Sequence, residues 1–290
     1  MAAAPRPLAR RLRRLTPWGA LMPMAATVLL AYLGSALWTL RISLSSSRSF
    51  PKDDFVGLAQ YERLFGNERW LQSLEHLALY GLVFIAAMLV LGTLLAIAID
   101  QRVRSESLWR GAFLYPYALS FVATGLIWQW LLTPGNGGFE LDWLQNEDKV
   151  LYAVALAGVW QASGLVMALV LAGLRGVDEE VWKAAALDGI PRWRCYASIV
   201  LPQLGATYAT VLLLLFTAAV KVFDAVVAMT QGGPGTASDV PARFIMDHLF
   251  GRANIALASA GAIVLLLGVL AVAAPLLYWR SRRAAAGGQA

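Results

Sequence analysis

The chain alternates between long apolar runs and short polar segments, and the apolar runs indicate its fold class. Six runs rich in Leu, Ala and Val are long enough to cross a hydrocarbon core about 30 Å thick, which requires roughly 20 helical residues. These runs cover residues 17–40, 77–99, 111–132, 150–174, 199–221 and 255–279. Because backbone polar groups in lipid must be paired within their own segment, the runs are expected to be helices. The pattern predicts an all-α, polytopic membrane protein with six transmembrane helices.

The polar segments complete the predicted organisation. A basic segment, 1–16, precedes a transmembrane domain, 17–283, and a flexible tail, 284–290, follows it. The first apolar run is too long for the apolar part of a signal peptide, so it is expected to be the first span. The loop before the second span carries apolar residues at helical spacing from Phe55 to Phe65, which predicts an amphipathic helix at the membrane interface.

Composition and charge agree with a membrane protein and indicate its orientation. The chain is 59% hydrophobic and 14% charged, whereas soluble domains carry roughly 25% charged residues. Of its 24 Lys and Arg residues, fifteen fall on the side of the predicted spans that holds both termini. Such an excess marks the cytoplasmic side, so both termini are expected in the cytoplasm. The net charge of +6 is therefore a topology signal and not a sign of nucleic-acid binding.

The sequence contains no pattern for catalysis or metal binding. It has no Gly-x-x-x-x-Gly-Lys-Ser/Thr phosphate-binding loop, and the segment 232–235 lacks the lysine and hydroxyl of that motif. His76, His248 and Cys195 are too few and too far apart for a zinc site. We therefore expect no catalytic residue, metal or cofactor in this chain, which is not predicted to be an enzyme.

A polar segment between the fourth and fifth spans, 178–202, is predicted to form two helices joined by a tight turn. Asp178 stands at an N-cap position, and Gly189 stands where a residue with positive φ would end the first helix. Pro191 suits the first position of the second helix, and Pro202 can kink that helix as it enters the fifth span.

Spacing places four residues on one side of the first of these helices. Ala184 and Asp188 are four positions apart, and so are Ala185 and Gly189. Three of the four are small, which would let the surface of another protein approach the backbone closely. Alternatively, the alanines merely favour helix in an ordinary cytoplasmic connector. The spacing alone leaves both interpretations open.

Residues 183–202, KAAALDGIPRWRCYASIVLP, resemble the Glu-Ala-Ala loop of permeases from binding-protein-dependent ABC importers. The family pattern is Glu-Ala-Ala, three residues, Gly, nine residues, then Ile-x-Leu-Pro, and this stretch keeps that register throughout. Lys183 departs from the pattern, because the family usually has glutamate there. Glu180 lies one turn earlier and can supply a carboxylate.

The resemblance extends to most of the chain. Over residues 20–283, stretches such as FLYPYALSFVATGLIWQWLL resemble the maltose-type sugar permeases, and residues 229–262 are most similar to permeases for α-glucosides. The resemblance implies the transmembrane domain of a type I ABC importer that translocates a sugar, with a cytoplasmic coupling helix that transmits closure of the ATPase. The residues that it assigns to coupling are Glu180, Lys183, Ala184, Ala185, Asp188 and Gly189.

The same resemblance implies the partners of the chain and its location in the bacterial cytoplasmic (inner) membrane. ATP and Mg would be bound by a dimer of ATP-binding cassette subunits, since this chain carries no site for them. A second homologous permease subunit, an extracytoplasmic sugar-binding protein and membrane lipid would be the other partners, and no nucleic acid is expected.

Two dipeptides combine an aromatic ring with an amide inside predicted spans, namely Trp128-Gln129 and Trp160-Gln161. Sugars bind to aromatic faces and to hydrogen-bonding groups, and polar side chains inside spans are costly and often functional. Together with Ser163, these residues are candidates for the substrate path. Alternatively, the tryptophans mark the membrane interface and the polar groups join helices. Lys221 and Asp224, three positions apart, are expected to form a local ion pair.

A self-sufficient secondary transporter or a membrane receptor, carrying its own ion coupling, is the rival interpretation. Such a carrier would place carboxylates or broken helices near the membrane midplane. Asp100, Asp178 and Asp224 all fall at the ends of predicted spans, which favours the importer.

Overall fold

The computed structural model describes residues 21–101, 103–136 and 141–287, and all regular structure within these ranges is helical. The helices are α1 (Leu21–Ser43), α2 (Ala59–Phe65), α3 (Glu68–Asp100), α4 (Glu106–Leu114), α5 (Phe121–Leu132), α6 (Val150–Arg175), α7 (Glu179–Leu187), α8 (Arg192–Gln203), α9 (Gly205–Val220), α10 (Asp224–Met229), α11 (Pro241–Met246) and α12 (Ile255–Gly287). The predicted segment 1–16 lies outside the described residues, and α12 continues past residue 284, where the predicted tail begins.

Four single helices are long and apolar enough to cross a membrane: α1, α3, α6 and the part of α12 that ends at Pro275. Two further candidates are pairs of helices, α4 with α5 and α8 with α9, which are bent by 98° and 74° at a short break. When each bent pair is taken as one span, the described residues contain six spans. The predicted all-α membrane fold is confirmed.

The bend between α4 and α5 interrupts a run, 111–132, that predicts one straight helix. Pro116 lies in the 3₁₀ turn that follows α4 and lacks the N–H that a helix interior needs. The two residues after this turn, Leu119 and Ser120, are extended, with ψ of 150° and 148°. The hydroxyl of Ser120 then caps α5 by accepting from the N–H of Ala123 over 3.1 Å. A proline and a cap therefore override the continuous apolar pattern. The second bend lies just after Pro202, where the sequence predicts a kink.

The described residues form two compact units. The smaller unit contains the described residues up to Leu64 and His248–Ile263. Within it, the hydroxyls of Ser43 and Tyr61 lie 2.8 Å apart, and the side chain of Gln60 donates to the carbonyl of Ser45 over 3.0 Å. The predicted loop helix is thus present as the short helix α2, which these contacts hold against the end of α1.

The larger unit contains Phe65–Asp247 and the described residues from Val264 onward. Its core is the pair α3 and α6. Glycines let α6 approach both α3 and α4 closely. A Cβ on Gly92 would lie 2.4 Å from Cγ1 of Val166, and a Cβ on Gly164 would lie 2.0 Å from the backbone oxygen of Phe113 in α4. Small residues at such crossings are typical of helices packed in membranes. This packing fixes the elements that line the two cavities described next.

Candidate functional site

The 178–202 segment folds into two helices and a turn, as its sequence predicts. The carboxylate of Asp178 caps α7 by accepting from the N–H of Glu180 over 2.9 Å. Gly189 has φ of +69°, a conformation that residues with a Cβ rarely adopt, and the N–H of Ile190 donates to the carbonyl of Ala185 over 2.9 Å. Pro191 stands at the N-cap of α8, one position before the predicted one. The turn is therefore locally specified by its own residues.

The structure divides the predicted small-residue face of α7. Ala185 is only 5% exposed and belongs to the core of the larger unit, whereas Ala184 and Asp188 are exposed. Ala185 therefore does not share an exposed side of α7 with Ala184 and Asp188, and its assignment to coupling stays a prediction. Leu187 is 88% exposed, and four exposed residues at helical spacing lie on one side of α7: Lys183, Ala184, Leu187 and Asp188. We call these four residues the outer face of α7.

Lys183 has a carboxylate partner one turn earlier, but that partner is not the predicted one. Its Nζ lies 3.5 Å from Oε2 of Glu179, with side chains 66% and 78% exposed. An ion pair this exposed contributes little to stability. Glu180 is exposed at the start of α7, and its assignment to coupling stays a prediction.

An inner cavity of about 620 Å³ lies behind α7. Trp182, on α7, packs edge-on against Tyr196 of α8, with ring centroids 5.0 Å apart. The hydroxyl of Tyr196 donates to Oδ2 of Asp100, the last residue of α3, over 2.7 Å. All three residues line the inner cavity, together with the buried thiol of Cys195. The 178–202 segment is thus attached directly to the end of α3.

A central cavity of about 540 Å³ lies between α3, α6, α9 and the bend before α5. Aromatic rings and polar groups share its lining. The aromatic residues are Tyr80, Phe84, Tyr117, Phe121 and Phe223, and the polar or charged residues are Thr124, Gln161, Thr217, Lys221 and Asp224. Tyr80 and Phe84 stack with centroids 5.5 Å apart and beside Gly158, where a Cβ would meet the Tyr80 hydroxyl at 3.0 Å.

The predicted path residues fall into two groups. Gln161 lines the central cavity, and its side chain is anchored by a 2.9 Å hydrogen bond from Nε2 to the carbonyl of Leu119. Trp128 and Trp160 instead pack edge-on against each other, with centroids 6.0 Å apart, and neither lines that cavity. Ser163 donates to the carbonyl of Trp160 over 3.2 Å within α6. Gln129, on α5, also lies outside the cavity lining.

The ion pair expected between Lys221 and Asp224 is not formed among the described residues, and this expectation is wrong. Residues three apart face one another only within a continuous helix. Here α9 ends at Val220 and α10 begins at Asp224, so the helical geometry is lost between them. Both side chains line the central cavity instead, and the sequence gives no signal for that placement.

Thr124 supplies the clearest unmet hydrogen-bonding demand in the central cavity. Its residue is 1% exposed, and its hydroxyl has no partner among the described residues. A buried hydroxyl without a partner is unfavourable, and a ligand in the cavity can pair with it only after the packing around Thr124 opens, because the oxygen itself has no accessible surface. No group of three or more His, Cys, Asp or Glu residues in the described part of the chain is arranged to hold a metal ion.

Comparison with known proteins gives the chain its relatives. Residues 88–277 match the family described as binding-protein-dependent transport system inner membrane component. A probable ABC transporter permease protein of Pyrococcus horikoshii is 34% identical over 84% of this chain and 88% of its own length. The alpha-glucoside transport system permease protein AglF of Rhizobium meliloti is 29% identical over 92% of this chain and 82% of its own length.

A solved structure shares the fold. It is a crystal structure of a bacterial ABC transporter involved in the import of the acidic polysaccharide alginate, and one of its chains superposes with a TM-score of 0.79 at 18% identity, over 95% of this chain and 98% of that one. The likeness at this identity concerns the fold, and the sequence match concerns the family. The chain belongs to the family of binding-protein-dependent transport system inner membrane components, the permease subunits of ABC transporters.

Proposed function

We propose that this permease translocates a neutral sugar, an α-glucoside or another small oligosaccharide, through the central cavity, with energy supplied by a separate ATPase subunit. The observation that carries the proposal is the lining of that cavity. It joins five aromatic residues to hydroxyl, amide and charged groups, of which Thr124 has no partner among the described residues. The assignment to α-glucosides draws on the similarity to AglF.

The chemistry of the cavity suits a sugar. Sugar hydroxyls both donate and accept hydrogen bonds, so they can use Lys221 as a donor, and Asp224 or the amide oxygen of Gln161 as acceptors. Aromatic rings provide apolar surface for the faces of sugar rings. The cavity volume of about 540 Å³ lies within the range of roughly 300–1,000 Å³ that small-molecule sites occupy. One cation and one anion leave the lining without net charge, which favours a neutral ligand.

Energy would reach the cavity through the 178–202 segment. In the proposed orientation both termini and this segment face the cytoplasm, and the outer face of α7 sits in a cleft of the ATPase subunit. ATP and Mg are bound there, in the partner chain. Closure of the ATPase dimer then moves α7 and switches the transmembrane helices between inward- and outward-facing states. A second permease and an external sugar-binding protein complete the complex.

Transport by the assembled complex in proteoliposomes tests the proposal. We expect uptake of labelled maltose, trehalose or sucrose that requires ATP, the ATPase and the binding protein. Thr217→Val removes a hydroxyl from the cavity lining and should lower the uptake rate about three- to tenfold, as expected for one lost hydrogen bond. Thr210→Val is the matched control, because its hydroxyl bonds within α9 to the carbonyl of Ala206 and lies outside the cavity.

Two results would contradict the proposal. Uptake driven by an ion gradient, without ATP or partner subunits, would identify a secondary transporter. Equal uptake by wild type, Thr217→Val and Thr210→Val would show that the sugar does not contact this wall of the central cavity.

A further inference from the structure

We propose that α3 acts as a rigid helix that links the 178–202 segment to residues 230–247, which include α11, at its opposite end. A displacement at either end of α3 would then move the segment attached to the other end. The inference rests on the proposed function, because it names the route by which the ATPase side and the binding-protein side communicate. It concerns positioning residues that hold the two ends of α3, and these residues lie outside the central cavity.

The inner end of α3 is held by the Tyr196–Asp100 hydrogen bond of 2.7 Å. Tyr196 is only 7% exposed and is packed edge-on by Trp182 of α7. A displacement of α7 therefore pushes on the Tyr196 ring, and the ring is bonded to the terminal residue of α3. This contact connects α7 to a transmembrane helix through Tyr196 of α8, before the break that separates α8 from α9.

The outer end of α3 is held by a network of charges. Arg69, the second residue of α3, places Nε 2.5 Å from Asp239 and an Nη atom 2.5 Å from Asp247. The Asp239 side chain is 1% exposed and also lies 3.2 Å from Arg243, and its backbone oxygen lies 3.0 Å from Nδ1 of His76. Asp239 is the buried charge of this network, and leaving it without a partner would be strongly unfavourable. These contacts therefore hold residues 230–247 to the first turns of α3, and the two are expected to move together.

The element between these two attachments is suited to transmit motion. α3 is a single helix of 33 residues, so it spans on the order of 50 Å at 1.5 Å per residue. The bent pairs α4 with α5 and α8 with α9 have breaks of 98° and 74° that can absorb a displacement. An unbroken helix transfers the displacement of one end to the other. By linkage, a partner that favours one arrangement of the outer loop then favours one arrangement of α7.

The test compares variants that weaken the contacts at each end of α3. Tyr196→Phe deletes only the hydroxyl that bonds to Asp100, and Asp247→Asn weakens the outer network while Asp239 still pairs with Arg69. The readout is the ratio of ATPase rates with and without the sugar-loaded binding protein, for complexes in lipid nanodiscs. Tyr208→Phe is the matched control, because it removes a 2.9 Å bond to Thr93, an interior residue of α3, and touches neither attachment.

We expect each end variant to lower that ratio about three- to tenfold and the Tyr208→Phe variant to leave it unchanged. In the double variant Tyr196→Phe with Asp247→Asn, the ratio of ATPase rates should not fall below the lower of the two single-variant ratios. Once α3 is detached at one end, it has no displacement left to transmit to the other. Distant independent sites would instead give the product of the two single effects. That product, or an unchanged ratio in both single variants, overturns the inference.

A second readout separates this inference from the proposed function. Backbone amide exchange in residues 230–247 should rise about twofold in Tyr196→Phe, at the far end of α3, and remain as in wild type in Tyr208→Phe. A wild-type complex without ATP-driven sugar uptake would refute the proposed function, while this exchange would still show whether α3 connects its two ends. Unaltered amide exchange of residues 230–247 in Tyr196→Phe would overturn the proposed link through α3, whatever the result of the transport assay.

Discussion

The side-chain amide of Gln161 donates to the carbonyl oxygen of Leu119 over 2.9 Å, at the residue where the chain bends between α4 and α5. One residue thus lines the central cavity and satisfies the backbone that the bend leaves unpaired. The geometry of the cavity wall and the break in the helix are therefore not independent. A change at Gln161 acts on both.

Gln161→Leu should lower both stability and sugar uptake. The substitution leaves the Leu119 carbonyl unpaired, which costs about 1–3 kcal/mol for a buried polar group. Thermal unfolding in detergent and uptake in proteoliposomes measure the two effects. Gln129→Leu is the control, since Gln129 lies outside the cavity lining, and it should preserve both. Loss of uptake in Gln129→Leu with a normal unfolding temperature would indicate that Gln129 lines the substrate path.

Tryptophan at Ala184 and at Ala185 should have opposite effects. Ala185 is buried, so Ala185→Trp overpacks the core at a cost of about 1–3 kcal/mol and lowers the yield of folded permease. Ala184 is exposed on the outer face of α7, so Ala184→Trp should leave the permease folded and reduce co-purification of the ATPase. Unfolding temperature and pull-down of the ATPase distinguish the two. Full recovery of the ATPase with Ala184→Trp would mean that this face is an ordinary solvated connector.

Gly189→Val should uncouple ATP hydrolysis from transport. With φ of +69° at this turn, a β-branched residue is strained by about 1–3 kcal/mol, and the turn between α7 and α8 must change. Gly135→Val is the matched control, because Gly135 also has positive φ, at +86°, and open space around its Cβ position, but it lies outside the 178–202 segment. Sugar transported per ATP hydrolysed is the measurement. Equal ratios in the two variants would show that only general strain is at work.

Gly164→Ala should destabilise the larger unit. A Cβ at this position would lie 2.0 Å from the backbone oxygen of Phe113, so α4 and α6 must separate. Overpacking of this kind costs about 1–3 kcal/mol. Gly268→Ala, on α12, meets nothing within 4 Å and should be neutral. Indistinguishable unfolding temperatures for the two variants would contradict the close approach of α4 and α6.

Features that depend on a few neighbouring residues were predictable from the sequence. The cap at Asp178 and the positive φ at Gly189 follow from local backbone chemistry, and the apolar runs follow from the thickness of the membrane. The kink after Pro202 belongs to the same class, because the missing N–H acts within one turn. Each of these features needs no knowledge of distant parts of the chain.

Features that depend on which neighbour a helix face meets were not predictable. Spacing puts Ala184 and Ala185 close together on α7, yet only the position of the core shows that Ala185 points inward. The 3-residue spacing of Lys221 and Asp224 predicts a pair only if the helix continues, and it ends at Val220. The aromatic lining of the central cavity combines Tyr80 and Phe223 from distant parts of the sequence, so no local pattern could have revealed it.

The burial of Cys195 makes this chain a ready background for site-directed labelling. It is the one cysteine in the sequence, and the residue is 3% exposed behind α7. A bulky, membrane-impermeant maleimide should therefore leave the natural protein largely unmodified. A cysteine introduced at Ala184 would be the thiol that such a reagent reaches first, and labelling from one side of the membrane or the other would report directly on which way the protein is inserted.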